Sequence, residues 1–211
     1  MVRVKICGIT RLQDALAAAD LGASALGFVF VPTSPRRITP EAARAIIARV
    51  PPFVTCVGVF ADAALDQVRA IAVTCRLAQV QLHGDEDPRD FASLGLALAK
   101  GVTLRPGAAP ARSDIDRLLA AGAGSILIDR PKDDAAEPDD AFFRRAAALV
   151  PRHALVLAGG LHSANVLAAL ELARPAAIDL ARGVEDQPGI KNHAKMKTFF
   201  ERVAQWQQLA S

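Results

Sequence analysis

The 211-residue chain contains no tyrosine, a single tryptophan and only 5% aromatic residues in all. A surface that binds nucleic acid by stacking needs aromatics interleaved with clustered cations, and here Lys and Arg are scattered. The net charge of +3 and pI near 9.0 therefore point to a small anionic ligand as partner and to no nucleic acid. Cysteine is scarce as well. Cys7, Cys56 and Cys75 are too few and too widely spaced for a disulfide framework or a zinc cluster, and they fit a reducing cytoplasm. No stretch of about 18 to 20 residues stays apolar without charge, Pro or Gly, and the first residues lack a signal-peptide layout. A soluble, cytoplasmic protein with no membrane partner is expected. Linkers, low-complexity tracts and long charge blocks are also missing. With 52% hydrophobic residues, 1–211 reads as one domain with a sizeable core.

What the chain does contain is alternation. Apolar runs of strand length stand at Val4–Cys7, Ala25–Phe30, Val54–Phe60, Ala78–His83, Ala97–Thr103, Ser125–Asp129, Ala154–Ala158 and Ala177–Leu180. Helix-like stretches follow them, near 11–21, 40–50, 63–73, 87–93, 113–121, 138–149, 163–173 and 192–208. Helix starts carry signals: Thr10 with Gln13 in capping-box spacing, Thr39 before Pro40, and Asp62, Ser113 and Ser163 as N-caps. The strands read as continuous apolar runs, as parallel strands covered on both faces do. Eight such units predict an α/β fold of the closed (β/α)8 TIM-barrel type, with an open doubly wound sheet as the alternative.

In such a barrel the reactive groups lie at the carboxyl ends of the strands. Cys7 ends the first strand, and Gly8 allows a sharp turn beside it. A lone cysteine commonly packs as a small hydrophobe; at this place, near a helix start and Lys5, a thiolate would be stabilised and able to act as a base. Asp129 ends the sixth strand, either capping a turn or serving as an acid across the mouth from Cys7. Gly159-Gly160 and Arg182-Gly183 follow the seventh and eighth strands, where barrels often bind phosphate on backbone amides; otherwise they are two tight turns. Arg36 and Arg37 in the second loop are either solvated or able to grip a carboxylate. Gln81 and His83 read as polar lining of the mouth.

These residues resemble a known family. Val4-Lys5-Ile6-Cys7-Gly8-Ile9-Thr10, Gly27-Phe28-Val29-Phe30, Ser34-Pro35-Arg36, Val57-Gly58-Val59-Phe60, Val80-Gln81-Leu82-His83-Gly84, Leu157-Ala158-Gly159-Gly160-Leu161 and Gly183-Val184-Glu185 with Pro188-Gly189-Ile190-Lys191 are similar, in order and spacing, to the phosphoribosylanthranilate isomerases of tryptophan biosynthesis. The resemblance implies a ribulose-phosphate-binding barrel and an Amadori rearrangement without metal, redox cofactor or nucleotide. It implies Cys7 as general base, Asp129 as general acid and Arg36 as the holder of the anthranilate carboxylate. Phosphate would lie on the backbone of Gly159, Gly160 and Gly183, with Arg182 beside it. A monomer or a homodimer is expected.

Two stretches depart from the pattern. Where the family carries a glycine-rich sixth loop leading into Phe-Asp-Trp, this chain has Arg130-Pro131 through Asp139-Asp140-Ala141-Phe142-Phe143, rich in acid. Added carboxylates there would repel a phosphate. Ala181-Arg182 stand in place of small hydroxyl residues, and Asn192 in place of an aspartate. The alternatives are an isomerase of another phosphosugar amine on the same barrel and a paralogue that binds phosphorylated metabolites without turnover.

Overall fold

The computed structural model describes residues 1–131 and 137–209. Eight parallel strands close on themselves in sequence order: β1 (Arg3–Cys7), β2 (Ala25–Val29), β3 (Thr55–Phe60), β4 (Gln79–Leu82), β5 (Ala97–Thr103), β6 (Ala123–Asp129), β7 (Leu155–Leu157) and β8 (Ala177–Leu180). Closure is made by β8 pairing with β1, with Lys5 beside Asp179 and Ile6 beside Leu180. The doubly wound alternative is thereby excluded, because an open sheet has two unpaired edges.

The helices are α1 (Leu12–Asp20), α2 (Pro40–Ile47), α3 (Leu65–Cys75), α4 (Arg112–Ala120), α5 (Asp139–Leu149), α6 (Val166–Ala173) and α7 (His193–Leu209). The fourth connection is a 3-10 helix, Pro88–Leu94, begun by the Asp87 carboxylate on the Arg89 amide and ended at Gly95 with φ +66°. The last loop adds a hairpin of β9 (Glu185–Gln187) and β10 (Ile190–Lys191). None of the described helices is long and apolar enough to cross a membrane.

The strands are apolar outward, where Ile6, Leu26, Phe28, Val80, Leu82, Ile126, Ile128, Leu155, Leu157 and Ile178 are fully enclosed beneath the helices. Inward positions are mixed. Lys5, Gln79, Gln81, Thr55, Ser125 and the small Ala25, Ala97, Ala99 and Ala177 surround a cavity of about 310 Å³ that opens toward the amino-terminal ends of the strands. Continuous apolar runs therefore describe only half of each strand's environment.

Capping follows the sequence at α2, where the Thr39 hydroxyl accepts from the Ala42 amide at 3.3 Å and Pro40 fills the first turn. Elsewhere tertiary partners take the capping residues. Thr10 donates its hydroxyl to the Gly189 carbonyl, tying the first loop to the eighth, so no capping box forms with Gln13. Asp62, at φ +54°, accepts from the Asp85 amide, and α3 starts after Ala64. Ser113 lies inside α4, whose N-cap residue, Ala111, donates its amide to the Asp114 carboxylate at 2.8 Å. Ser163 lies within a turn, and α6 begins after Asn165.

Candidate active site

Cys7 is carried to the carboxyl end of β1 and is half-buried at the mouth of the barrel. Room for its thiol comes from a missing side chain on β2: a Cβ on Gly27 would stand 2.8 Å from the Cys7 Sγ and 3.2 Å from the Lys5 Nζ. Lys5, one inward position below, is buried and bonded to Asp179 at 3.0 Å. Burial and the Asp179 carboxylate push the thiol above its ordinary 9.0, while Lys5 and Lys191 pull it down. The helix start offers no help, because the amides of Gly8 and Ile9 both donate to the Gly27 carbonyl at 2.9 Å and α1 begins only at Leu12. The resting group is therefore a thiol. The expectation of a stabilised thiolate is corrected on that point.

Asp129 ends β6 with its carboxylate partly exposed. One oxygen accepts the Arg130 amide at 2.8 Å; the other lies 3.6 Å from the Nε2 of His83. His83, just past β4, has its Nδ1 3.3 Å from the amide nitrogen of Gln81. Gln81 is buried and bounds the inner cavity, which places it beneath the mouth as a support for His83. The imidazole fits because β5 carries a glycine there: a Cβ on Gly101 would meet the His83 Nδ1 at 2.4 Å.

Arg36 comes from the second loop and crosses directly over Gly8, whose hypothetical Cβ would fall 2.5 Å from the Arg36 Cδ. Gly8 also holds φ +75°, so both conformation and space demand glycine there. The guanidinium is engaged by Glu185, with Nε at 3.0 and 3.1 Å and Nη2 at 2.6 Å. Arg37 is exposed, with its backbone bonded to Ser34 and bridged to Val29.

Gly159 and Gly160 both hold φ +83° at the end of β7. Among the described residues, no acceptor pairs with either of their amides. Gly183 lies against the same loop so closely that a Cβ would stand 1.9 Å from the Leu161 carbonyl oxygen. The Arg182 side chain is exposed and makes no ion pair among the described residues. Two adjacent amides without an acceptor among the described residues, walled by a glycine, suit an oxyanion.

The acidic sixth loop is partly neutralised by its own cations. Arg130 bonds the Glu137 carbonyl at 2.9 Å and the Asp139 carboxylate at 2.5 Å, and its guanidinium stacks 4.3 Å over the Phe142 ring. Arg145 holds both oxygens of Glu137 at 2.7 Å. The expected repulsion of phosphate therefore does not extend to Glu137 and Asp139; Lys132, Asp133, Asp134, Ala135 and Ala136 lie outside the described residues. Asn165 joins this loop to the seventh, donating to Asp139 at 2.8 Å and to the Gly160 carbonyl at 3.1 Å while accepting the His162 amide.

Three contributors are given no role by the sequence: Glu185, Lys191 and Asn165. The Lys191 ammonium is enclosed and bonds the Cys7 carbonyl at 2.5 Å, Glu185 at 2.7 Å and the Ala181 carbonyl at 3.4 Å. Each partner is distant in sequence or serves another loop. Only their place within the Gly-Val-Glu and Pro-Gly-Ile-Lys motifs drew attention to the first two.

Known proteins resemble this chain over nearly its whole length. The family model described as N-(5'phosphoribosyl)anthranilate (PRA) isomerase matches residues 4–129 and 139–202. An N-(5'-phosphoribosyl)anthranilate isomerase of Pseudomonas putida is 42% identical over 209 residues, covering 97% of this chain and 98% of its own. The crystal structure of the Thermus thermophilus phosphoribosyl anthranilate isomerase superposes with a TM-score of 0.84 at 42% identity, over 97% of this chain and 99% of that one. A phosphoribosyl anthranilate isomerase in complex with reduced 1-(o-carboxyphenylamino)-1-deoxyribulose 5-phosphate gives 0.81 at 38% identity, over 97% and 100%. With a thiol, a carboxylate and an arginine gathered at one barrel mouth and this similarity from end to end, the chain belongs to the N-(5'-phosphoribosyl)anthranilate isomerase family.

Proposed function

We propose that the chain, as a single barrel domain over 1–211, catalyses the Amadori rearrangement of N-(5-phosphoribosyl)anthranilate to 1-(2-carboxyphenylamino)-1-deoxyribulose 5-phosphate in tryptophan biosynthesis, in the cytoplasm. The observation that carries this reading is the placement of Cys7 and Asp129 at the carboxyl ends of β1 and β6 on one mouth, in a member of this family.

The chemistry follows from the groups present. Asp129, protonated, gives its proton to the furanose ring oxygen; the C1–O bond breaks and the anilino nitrogen supplies the electron pair that forms a protonated Schiff base. Cys7, in the minor thiolate form left when its thiol gives up a proton to solvent, removes the proton from C2, and the electrons move to the iminium nitrogen to leave an enolamine. That species tautomerises to the ketone. Proton transfer by placed side chains contributes about 10²- to 10⁴-fold each. The Lys5 cation beside Cys7 lowers the cost of forming the thiolate, because it faces the developing charge in an enclosed site. Arg36 takes the anthranilate carboxylate, and the amides of Gly159 and Gly160 take the phosphate, with Gly183 as wall and Arg182 at its edge.

The partner is thus a small anionic molecule. For assembly, the reading we favour is a homodimer. Phe53 is 97% exposed on the loop between α2 and β3, on the amino-terminal face where the 310 Å³ cavity opens. A twofold contact through this face would bury both rings and suit both cavities.

The function is tested by following the loss of substrate fluorescence with the wild type beside Cys7→Ala and Asp129→Asn. Turnover by the wild type, lost about a hundredfold or more in each variant, is expected. A wild type without turnover would overturn the reading; undiminished variants would overturn the assigned chemistry.

A further inference from the structure

The Arg36 guanidinium has two edges, and the structure uses one of them. Nε and Nη2 are taken by Glu185, whereas Nη1 has no partner among the described residues. A planar guanidinium held along its Nε/Nη2 edge can still present Nη1 and the second N–H of Nη2 to a carboxylate end-on. Glu185 does not hold Arg36 from a flexible loop. Its carboxylate is buried, accepts the Gly189 amide at 3.1 Å and the Lys191 ammonium at 2.7 Å, and that ammonium also grips the Cys7 carbonyl. Burial would raise the Glu185 carboxyl, but the hydrogen bonds from Arg36 and Lys191 outweigh it and hold the group below its ordinary range, so it is ionised. One carboxylate therefore cross-links the second loop, the eighth loop and the end of the strand that bears the thiol.

We propose that Glu185 is the positioning residue that makes the site selective for substrates carrying an aryl carboxylate, by fixing the free edge of Arg36 in register with Cys7. The proposal rests on the reading of Arg36 as the carboxylate-binding arginine and adds what sets its geometry. An unclamped arginine surrenders rotamer freedom when it binds; one already pinned along its inner edge has done so, and its binding strength is available for orientation. The register follows from the chain of contacts, because Arg36 and the Cys7 backbone are tied to the same Glu185–Lys191 pair. A ligand carboxylate docked on Arg36 is thereby placed at a set distance from the thiol, and a ligand without it gains nothing from Glu185.

The probes are reduced 1-(o-carboxyphenylamino)-1-deoxyribulose 5-phosphate, a non-reacting product analogue, and its counterpart lacking the carboxylate. Their dissociation constants are measured by titration calorimetry on the full chain. The wild type is expected to prefer the carboxylated compound by about tenfold or more, the scale of one charge-assisted interaction. Glu185→Gln is expected to shrink that preference to about twofold while leaving the affinity for the other compound nearly unchanged. The glutamine has a single acceptor oxygen for two donor-only neighbours, so it turns an N–H toward either Arg36 or Lys191. Glu185→Asp keeps a charge beside the enclosed Lys191 and serves where the glutamine variant does not fold; it is expected to lose part of the preference because the shorter side chain cannot reach both partners. Arg36→Ala should abolish the preference, and adding Glu185→Gln to it should change nothing more. Equal weakening of both compounds by the Glu185 variants, or an intact preference, would overturn the proposal. A wild type that binds neither compound would sink the functional reading as well, whereas one that binds both equally would sink only the role given to Arg36 and Glu185.

Discussion

The Nε2 atom of His83, just past β4, lies 3.6 Å from the Oδ2 atom of Asp129 at the end of β6, and Gly101 of the intervening β5 leaves room for the imidazole. Asp129 must carry a proton before ring opening and be ready to receive one afterwards. His83 is the side chain paired with it among the described residues, and Gln81 lies on the far side of the ring.

His83→Asn should therefore lower kcat on the order of tenfold, less than loss of the acid itself, with KM little changed. Gly101→Ala should do the same without touching substrate, since its Cβ would meet the His83 Nδ1 at 2.4 Å and the ring must move. Steady-state kinetics on both variants decide the matter; wild-type kcat in His83→Asn removes the imidazole from the reaction.

The Cys7 thiol is pushed above 9.0 by burial and by Asp179, against the pull of Lys5 and Lys191. Its rate of alkylation by iodoacetamide, followed against pH by mass spectrometry, should rise with a midpoint above 9.0. Lys5→Met should move the midpoint further up and Asp179→Asn down. Each change also leaves one member of a buried pair alone, at a cost of about 3 to 5 kcal/mol in stability. A neutral thiol favoured by folding means that stability is complete below pH 9.0 and declines as pH rises through the folded-state value. A midpoint below 9.0 would contradict this electrostatic picture.

Asp14 is fully enclosed and gathers Arg11 at 2.8 and 2.9 Å, the His193 Nε2 at 2.9 Å and the Lys191 amide at 3.1 Å, joining α1, α7 and β10. Burial opposes its ionisation, yet the hydrogen bonds from Arg11 and His193 prevail and hold the carboxyl below 3.8. Because the folded chain binds this proton less readily than the unfolded one, its contribution is complete above pH 3.8 and is lost as pH falls below it. Urea melts at pH 7 should show Asp14→Ala to be less stable by about 3 kcal/mol, a difference that narrows toward pH 3. An equal gap at both pH values would show that packing, not charge, is what Asp14 supplies.

If the amino-terminal faces pair, sedimentation of the wild type should give a dimer and Phe53→Asp a monomer with its turnover intact, because Phe53 lies at the opposite end of the barrel from Cys7. A monomeric wild type would remove the homodimer reading.

The fold was largely legible in the order of the residues. All eight strands lie within two residues of their apolar runs, because outward positions such as Ile6, Phe28 and Ile126 must be apolar wherever a helix covers them. Helix starts were legible only where nothing else claimed the capping side chain: Thr39 caps α2, but Thr10 is drawn to Gly189 and Asp62 to Asp85. Cys7, Asp129, Arg36 and the Gly159-Gly160 turn were likewise readable, since each follows its strand directly.

The period, the number of units and the identity of the residues that reach the mouth are properties of short segments and are written in the order of the residues. How those residues are set comes from the folded barrel: Cys7 rests as a thiol over the Lys5–Asp179 pair, His83 faces Asp129, and Glu185 holds Arg36 from 149 residues away. These contacts are closed by the barrel itself. A charge's burial and partners depend on strands and loops that meet only when β8 pairs with β1, and no local pattern encodes that meeting.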